Sequence, residues 1–335
     1  MPDATRARTV YYASTNRFEQ SLDVYVPTKA SQADLPLVVL VVGSAWLGHR
    51  AFIYRGTSWW NSSGPMTVSS VGAVCVCIRH RGAFPRPPPW YFLVLGVCIL
   101  AAVGQWRLLV AGSLTALAWI LAANGAATHD EMLEDVCMAL KWIVANRESL
   151  THVAPAAPGA ASQMPPLVFG GYSSGAHVAM SLLQRPALLA SHGLAAPSRL
   201  CAGVLLLSGV LGKRPLGPHT SFLTPRLSDV ILNCAFGRAG VAALPSPVDD
   251  VELSPNTPHL LIGCQHEVFG LWAVEAAMND VLFCSAQMVT RLKARGVPAR
   301  LIEVQSDHWF MLGSRGLKDA LCEALCDQGW PYQRK

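Results

Sequence analysis

The stretch FGGYSSGAHVAM places Ser173 between Gly171 and Gly175, which makes the pattern G-x-S-x-G. A serine hydroxyl is a strong nucleophile only when a nearby base takes its proton and a third group orients that base. The pattern indicates such a serine when a strand precedes it and a helix follows, because the sharp turn between them exposes the oxygen. An apolar run ends at Gly171, and a helical pattern covers Ala176–Gln184. Ser173 is therefore the candidate nucleophile, although glycine-serine turns are also common without chemistry.

The candidate base and acid follow Ser173 in the order acid, then histidine. Glu267 comes shortly after the apolar run HLLIGC (259–264), and His308 lies in VQSDHWFML beyond the last predicted strand. A carboxylate at the first position could orient the imidazole at the second. Three aspartates compete for the acid position: Asp249, Asp250 and Asp307. The first two precede the strand, and the third adjoins the histidine and would reach its ring poorly.

Backbone N–H groups near the serine could bind the oxyanion of a tetrahedral intermediate. The candidates are Gly43, Ser44 and Ala45, which follow the run LVVLVV, and Ser174, which follows the nucleophile. Taken alone, the small residues at 43–45 would be an ordinary turn. Together with a nucleophile, a base and an acid in the expected order, they favour an oxyanion site. His177, one turn into the predicted helix, is expected to pack or to cap locally.

Short apolar runs alternate with helical patterns along most of the chain, which predicts an α/β fold with a mostly parallel sheet flanked by helices. The predicted strands are 22–26, 37–42, 73–78, 167–171, 202–209, 259–264 and 299–305. The predicted helices are Glu131–Glu148, Ala176–Gln184, Glu275–Arg295 and Leu317–Gln328. We expect one domain over residues 1–335, with residues 212–258 forming a cap over the substrate.

Two nearly pure apolar runs, 90–104 and 108–124, interrupt this pattern. As helices they would be about 22 and 25 Å long, shorter than a hydrocarbon core of about 30 Å. Because both ends of 90–124 join elements of one sheet, a single span is excluded. We expect a hydrophobic hairpin that enters a membrane, by spanning it or by dipping into it. A hairpin buried in the protein core is the alternative.

Composition restricts the class of protein. Apolar residues make up 52% of the 335 residues and charged residues 14%, with a net charge of +5, which excludes disorder and gives nucleic-acid binding little support. The ten cysteines include no C-x-x-C pair, so we expect free thiols and no zinc site. With Arg79, Arg81 and Arg86 before the apolar segment, a cytosolic main domain on an endomembrane such as the endoplasmic reticulum is expected.

The chain resembles the α/β-hydrolase superfamily, and within it the esterase branch of the isoprenylcysteine methylesterases and kynurenine formamidases. The resemblance runs from about Val10 to Gly313 and is carried by SLDVYVP, VVGSAWLGH, VCIRHRGAFP, GYSSGAHVA and SDHWF. It implies the α/β-hydrolase fold and hydrolysis of an ester or amide by Ser173, His308 and Glu267. The segment GCQHEVF corresponds to the family's H-G-x-x-D and puts Glu267 at the acid position.

Four residues depart from the family pattern: Val42 for histidine or threonine, Ser44 for glycine, Ser174 for alanine and Glu267 for aspartate. The change at position 44 affects the oxyanion loop, where losing one donor would slow the reaction by roughly 10²–10³-fold. Glutamate works as the acid in other triads.

The favoured hypothesis is a membrane-associated serine esterase that cleaves a lipophilic ester, such as a prenylcysteine methyl ester, through an acyl-enzyme. It needs no metal and no organic cofactor. One alternative is a hydrolase-fold protein that has lost activity and binds a ligand or a partner at the membrane. Another is an arylformamidase-like amide hydrolase.

Overall fold

Eight strands form one sheet in the computed structural model, which describes residues 4–28, 36–46, 48–49, 58–82, 127–151, 167–213, 243–266 and 282–327. Three sequence-based predictions fall at least partly outside these ranges: the apolar hairpin 90–124, the acid Glu267 and most of the cap 212–258. They remain predictions.

The strands are β1 (Ala4–Tyr11), β2 (Ser21–Pro27), β3 (Leu37–Val41), β4 (Val74–Ile78), β5 (Leu167–Tyr172), β6 (Cys201–Leu207), β7 (His259–His266) and β8 (Ala299–Asp307). Their order in the sheet is β1-β2-β4-β3-β5-β6-β7-β8. β2 pairs antiparallel with β1 and β4, and the other neighbours are parallel. The seven predicted strands are all present. β1 was not predicted, since half of the residues in ATRARTVY are threonine or arginine and it pairs at the sheet edge with β2 alone.

The helices are α1 (Ser58–Ser70), α2 (His129–Ala145), α3 (Arg147–Thr151), α4 (Ser174–Leu183), α5 (Pro186–Ser191), α6 (Pro197–Leu200), α7 (Ser285–Ala294) and α8 (Arg315–Leu321). A π-helical turn, Cys322–Asp327, follows α8. The four predicted helices correspond to α2, α4, α7 and α8, and the part of the third before residue 282 lies outside the described ranges. α1 was missed because it is rich in serine and contains Pro65, which both disfavour helix.

The core lies on both faces of the sheet. In β3, Val39 and Val41 pack into the cluster that contains residues of α2 and α4, whereas Val38 and Leu40 pack into the cluster that contains residues of α1 and α8. Strands covered on both faces need apolar side chains at every position, which explains why these runs do not alternate with polar residues.

Ion pairs join the residues that follow β4 to strand β2 and to helix α2. Arg79, just after β4, forms an ion pair with Asp23 of β2, and both side chains are about 1% exposed. Arg81 Nε lies 2.9 Å from a carboxylate oxygen of Asp135 on α2. Arg79 and Arg81, two of the three arginines that precede the apolar segment in the sequence, therefore help to hold the fold together.

The two described residues that flank segment 83–126 are adjacent. The N–H of Ala127 donates to the carbonyl of Gly82 over 3.0 Å. Among the described residues, no helix has both the length and the apolar character needed to cross a bilayer.

Candidate active site

Ser173 lies in the sharp turn between β5 and α4. Its backbone has φ 54° and ψ −126°, which a side-chain-bearing residue rarely adopts and which costs about 1–3 kcal/mol. Hydrogen bonds hold the turn in place: the Ser173 N–H donates to Leu207 O (3.0 Å), and the Ser173 carbonyl accepts from Ala176 N (3.0 Å) and Val210 N (3.1 Å). The neighbouring strand β6 therefore helps to maintain the strained conformation.

The glycines of G-x-S-x-G are required by close backbone contacts. A Cβ atom on Gly171 would lie 2.4 Å from the carbonyl carbon of Gly175, and one on Gly175 would lie 2.2 Å from the carbonyl oxygen of Val41 in β3. Gly43 is equally restricted, since its Cβ would lie 2.8 Å from the Cβ of Ser173. Any side chain at these positions would displace the sharp turn that carries Ser173, here called the elbow, or the loop after β3.

His308 is brought to Ser173 although 135 residues separate them. Its Nε2 lies 3.0 Å from Ser173 Oγ, and the residue is 7% exposed. The ring stacks on Tyr172 with 5.0 Å between ring centroids, and the Tyr172 hydroxyl donates to the His308 carbonyl. Its backbone N–H donates to His266 O at the end of β7 (3.0 Å). The nucleophile and base chosen from the sequence thus lie in hydrogen-bond contact.

Asp307, one of the competing acids, is used by the backbone. Its Oδ1 accepts hydrogen bonds from the N–H groups of Trp309 and Phe310, each over 2.9 Å. This carboxylate stabilises the turn that carries His308. The two aromatic side chains that follow are 40% and 61% exposed beside the base. Asp249, a second competitor, accepts from Ser246 and pairs with an arginine of α7.

Ser208 is a neighbour of His308 that the sequence did not identify. Its Oγ lies 3.0 Å from His308 Nδ1, the ring nitrogen remote from Ser173. The run 202–209 was assigned to a strand as a whole, but β6 ends at Leu207, which lies beside Tyr172 in the sheet. The sequence signal that could have identified Ser208 is a polar residue at the carboxyl end of the strand next to the one that carries Ser173.

The predicted acid Glu267 follows His266, which contacts the backbone of His308.

The loop after β3 is attached to α4 by Ser174. The Ser174 Oγ accepts hydrogen bonds from the N–H groups of Ser44 (2.9 Å) and Trp46 (3.2 Å). The Ser44 amide, one of the four predicted oxyanion donors, therefore points to a side chain. Positive φ occurs at Ala45 (49°) and Trp46 (59°), and not at Ser44, so serine in place of glycine at position 44 does not strain the backbone.

His177 also holds this loop, beyond the packing role predicted for it. Its Nδ1 accepts from Trp46 Nε1 (3.3 Å), and its Nε2 lies 3.0 Å from Pro245 O, which requires the neutral ring with hydrogen on Nε2. Burial lowers the pKa of His177 to about 4, which is consistent with this neutral form.

The described part of the predicted cap lies along α4. Besides the His177–Pro245 contact, Gln184 Nε2 donates to Pro247 O over 2.9 Å. These contacts attach residues 243–258 to the elbow helix. In the described ranges, no group of three His, Cys, Asp or Glu side chains is arranged to hold a metal ion.

Comparison with solved structures gives the class of fold. Esterase B from Lactobacillus rhamnosis is 15% identical and superposes with a TM-score of 0.59, covering 100% of this chain and 90% of that one. A truncated carbohydrate esterase from gut microbiota is 16% identical with a TM-score of 0.56, covering 96% of each chain. The esterase of the archaeon Pyrobaculum calidifontis is 13% identical with a TM-score of 0.53, covering 96% of this chain and 86% of its own.

At these identities the similarity establishes the fold, which is that of the α/β hydrolases. No protein-family model matches the chain, and no match was found among curated proteins. Any assignment to a family within this fold therefore rests on the sequence motifs.

Proposed function

We propose that the protein is a carboxylic ester hydrolase that works through an acyl-enzyme. The observation that carries the proposal is the 3.0 Å contact between His308 Nε2 and the Oγ of the strained Ser173. Ser173 Oγ attacks the carbonyl carbon of the ester while its proton passes to His308 Nε2. The tetrahedral intermediate collapses, and His308 returns the proton to the departing alcohol. Water then attacks the acyl-enzyme by the same route and releases the acid.

The oxyanion of that intermediate is bound by the backbone amides of Ala45 and Ser174. One observation sets Ser44 aside, and another favours Ser174. The Ser44 amide already donates to Ser174 Oγ. Ser174 is the first residue of α4, where an N–H has no partner within the helix and the helix dipole favours negative charge.

Glu267 is proposed as the acid of the triad. It directly follows His266, whose carbonyl accepts the N–H of His308 (3.0 Å), so the chain approaches the base at this point. Replacing Glu267 with glutamine removes the charge that would stabilise the imidazolium. A loss of kcat with KM unchanged would support this role.

The substrate is proposed to be lipophilic. The exposed side chains of Trp309 and Phe310 present an apolar surface directly after the base, where a long acyl or alcohol chain could lie. Of the esters in this class, a prenylcysteine methyl ester is the one that the sequence resemblance suggests. A series of p-nitrophenyl esters of increasing chain length tests the idea. Preference for acetate over long chains would contradict it.

Association with a membrane is proposed from the apolar composition of residues 90–124. The adjacent Gly82 and Ala127 allow residues 83–126 to be replaced by a short Gly-Ser linker. The shortened protein should keep its fold but lose flotation with liposomes. Equal flotation of both forms would contradict the proposal, and staining of the intact protein in cells would test the endomembrane location.

A fluorophosphonate probe tests the esterase itself, because it reacts with activated serines. We expect labelling of the native protein and none of Ser173→Ala, whose kcat should fall by roughly 10⁶-fold. Ser181→Ala is the matched control: it removes a buried hydroxyl from the same helix, remote from the elbow. A folded native protein that is not labelled would instead favour a hydrolase-fold binding protein.

Ester and amide hydrolysis are separated by a matched pair of substrates that share one acyl group. The esterase proposal requires a higher kcat/KM for the ester than for the anilide or the formamide. The reverse order would favour an arylformamidase-like enzyme.

A further inference from the structure

The Nδ1 atom of His308 faces a hydroxyl. Ser208 Oγ lies 3.0 Å from it, and Ser208 is fully buried. Ser208 follows β6 and is fixed by its own backbone, whose N–H donates to Ile262 O over 2.7 Å. Its φ of 43° is unusual for a residue with a side chain. Such a conformation persists only when its surroundings impose it.

One placement of the hydrogens satisfies both the sulfur contact and the imidazole contact of Ser208. Its Oγ also lies 3.6 Å from Cys264 Sγ, to which the hydroxyl can donate. When it does, the hydroxyl oxygen acts as the acceptor for Nδ1–H of His308 in the 3.0 Å contact. The Nε2 lone pair then faces Ser173 Oγ, as removal of the serine proton requires.

We propose that Ser208 is a positioning residue of this site, which selects the His308 tautomer with hydrogen on Nδ1 and holds the ring toward Ser173. The inference rests on the proposed esterase function and adds a residue that acts through the base. When His308 becomes an imidazolium during the reaction, Ser208 accepts a hydrogen bond from a charged donor, which is stronger than a bond between neutral groups.

The first test is Ser208→Ala assayed with an ester substrate. We expect kcat to fall by about 10- to 100-fold with KM little changed, because a hydrogen bond to a charged ring is lost. Ser208→Asn should recover most of the activity, since asparagine tolerates positive φ and offers a carbonyl oxygen to Nδ1–H. Ser181→Ala on α4 is the control for loss of a buried hydroxyl and should retain native activity.

A second readout separates positioning from a general structural effect. The proton on Nδ1 should give a downfield imidazole N–H signal in the NMR spectrum of the native protein. The signal should be shifted or lost in Ser208→Ala and retained in Ser181→Ala. Because it is recorded without substrate, it reports on the contact even if the protein is found not to hydrolyse esters.

A folded Ser208→Ala protein with kcat within twofold of the native value would overturn the proposal. An unchanged downfield signal in that variant would also overturn it. If Ser208→Ala fails to fold, the Ser208→Asn protein decides: native-like kcat with the signal retained supports the role, and loss of both contradicts it.

Discussion

Replacing Ser174 with alanine should reduce turnover without touching the nucleophile or the base. The substitution removes one oxygen, which accepts hydrogen bonds from Ser44 N (2.9 Å) and Trp46 N (3.2 Å). Both donors belong to the loop after β3, and Ala45 lies between them. The backbone of residue 174, including its N–H, is retained. The variant therefore isolates how much the attachment of the loop contributes to the oxyanion site.

The size of the effect follows from the two hydrogen bonds. Each contributes about 1 kcal/mol net, so their loss weakens attachment of the loop by about 2 kcal/mol, or about 30-fold in population. Complete loss of an oxyanion donor costs about 10²–10³-fold in kcat, which sets the upper limit. Because Trp46 Nε1 still donates to His177 Nδ1 (3.3 Å), the loop keeps a second attachment. We expect kcat to fall by about 10- to 30-fold.

Steady-state hydrolysis of a p-nitrophenyl ester measures this effect, with kcat and KM determined separately. The loss should appear in kcat, since the oxyanion forms only after substrate has bound. Ser181→Ala, two turns along the same helix and also buried, should match the native enzyme. A Ser174→Ala enzyme with native kcat would refute the assignment of the loop as an oxyanion donor.

Two further predictions concern stability. Burial lowers the pKa of both His177 and His259 to about 4, so below about pH 6.5 these histidines bind protons in the unfolded chain but not in the native state. Each histidine should therefore lower the free energy of unfolding by about 2 kcal/mol at pH 5. Urea titrations that give the same free energy of unfolding at pH 7 and pH 5 would contradict this. Asp23→Asn leaves the buried Arg79 without its ionic partner and should lower the free energy of unfolding by about 3–5 kcal/mol. Asp319→Asn, which breaks an exposed ion pair with Arg315, should lower it by less than about 1 kcal/mol. Equal urea midpoints for the two variants would count against this difference.

Much of the fold was predictable because it is encoded locally. Uninterrupted apolar runs such as 37–42 are typical of strands covered on both faces, and Gly171 is required by its contact with Gly175 within the turn itself. Strand β1 was missed because half of its residues are polar and its place in the sheet depends on pairing with β2. Helix α1 was missed because its packing outweighs the cost of serine and proline.

The sequence by itself determined the alternation of strands and helices, and the choice of Ser173 and His308, since each lies at a motif readable within a few residues. Only the tertiary structure decided what the remaining polar groups do. It directs Ser174 Oγ to the loop amides and His177 to Trp46, and it sets Ser208 against the base. The physical reason is the sheet order, which puts the carboxyl ends of β3, β5, β6 and β8 at one edge and joins residues that lie far apart along the chain.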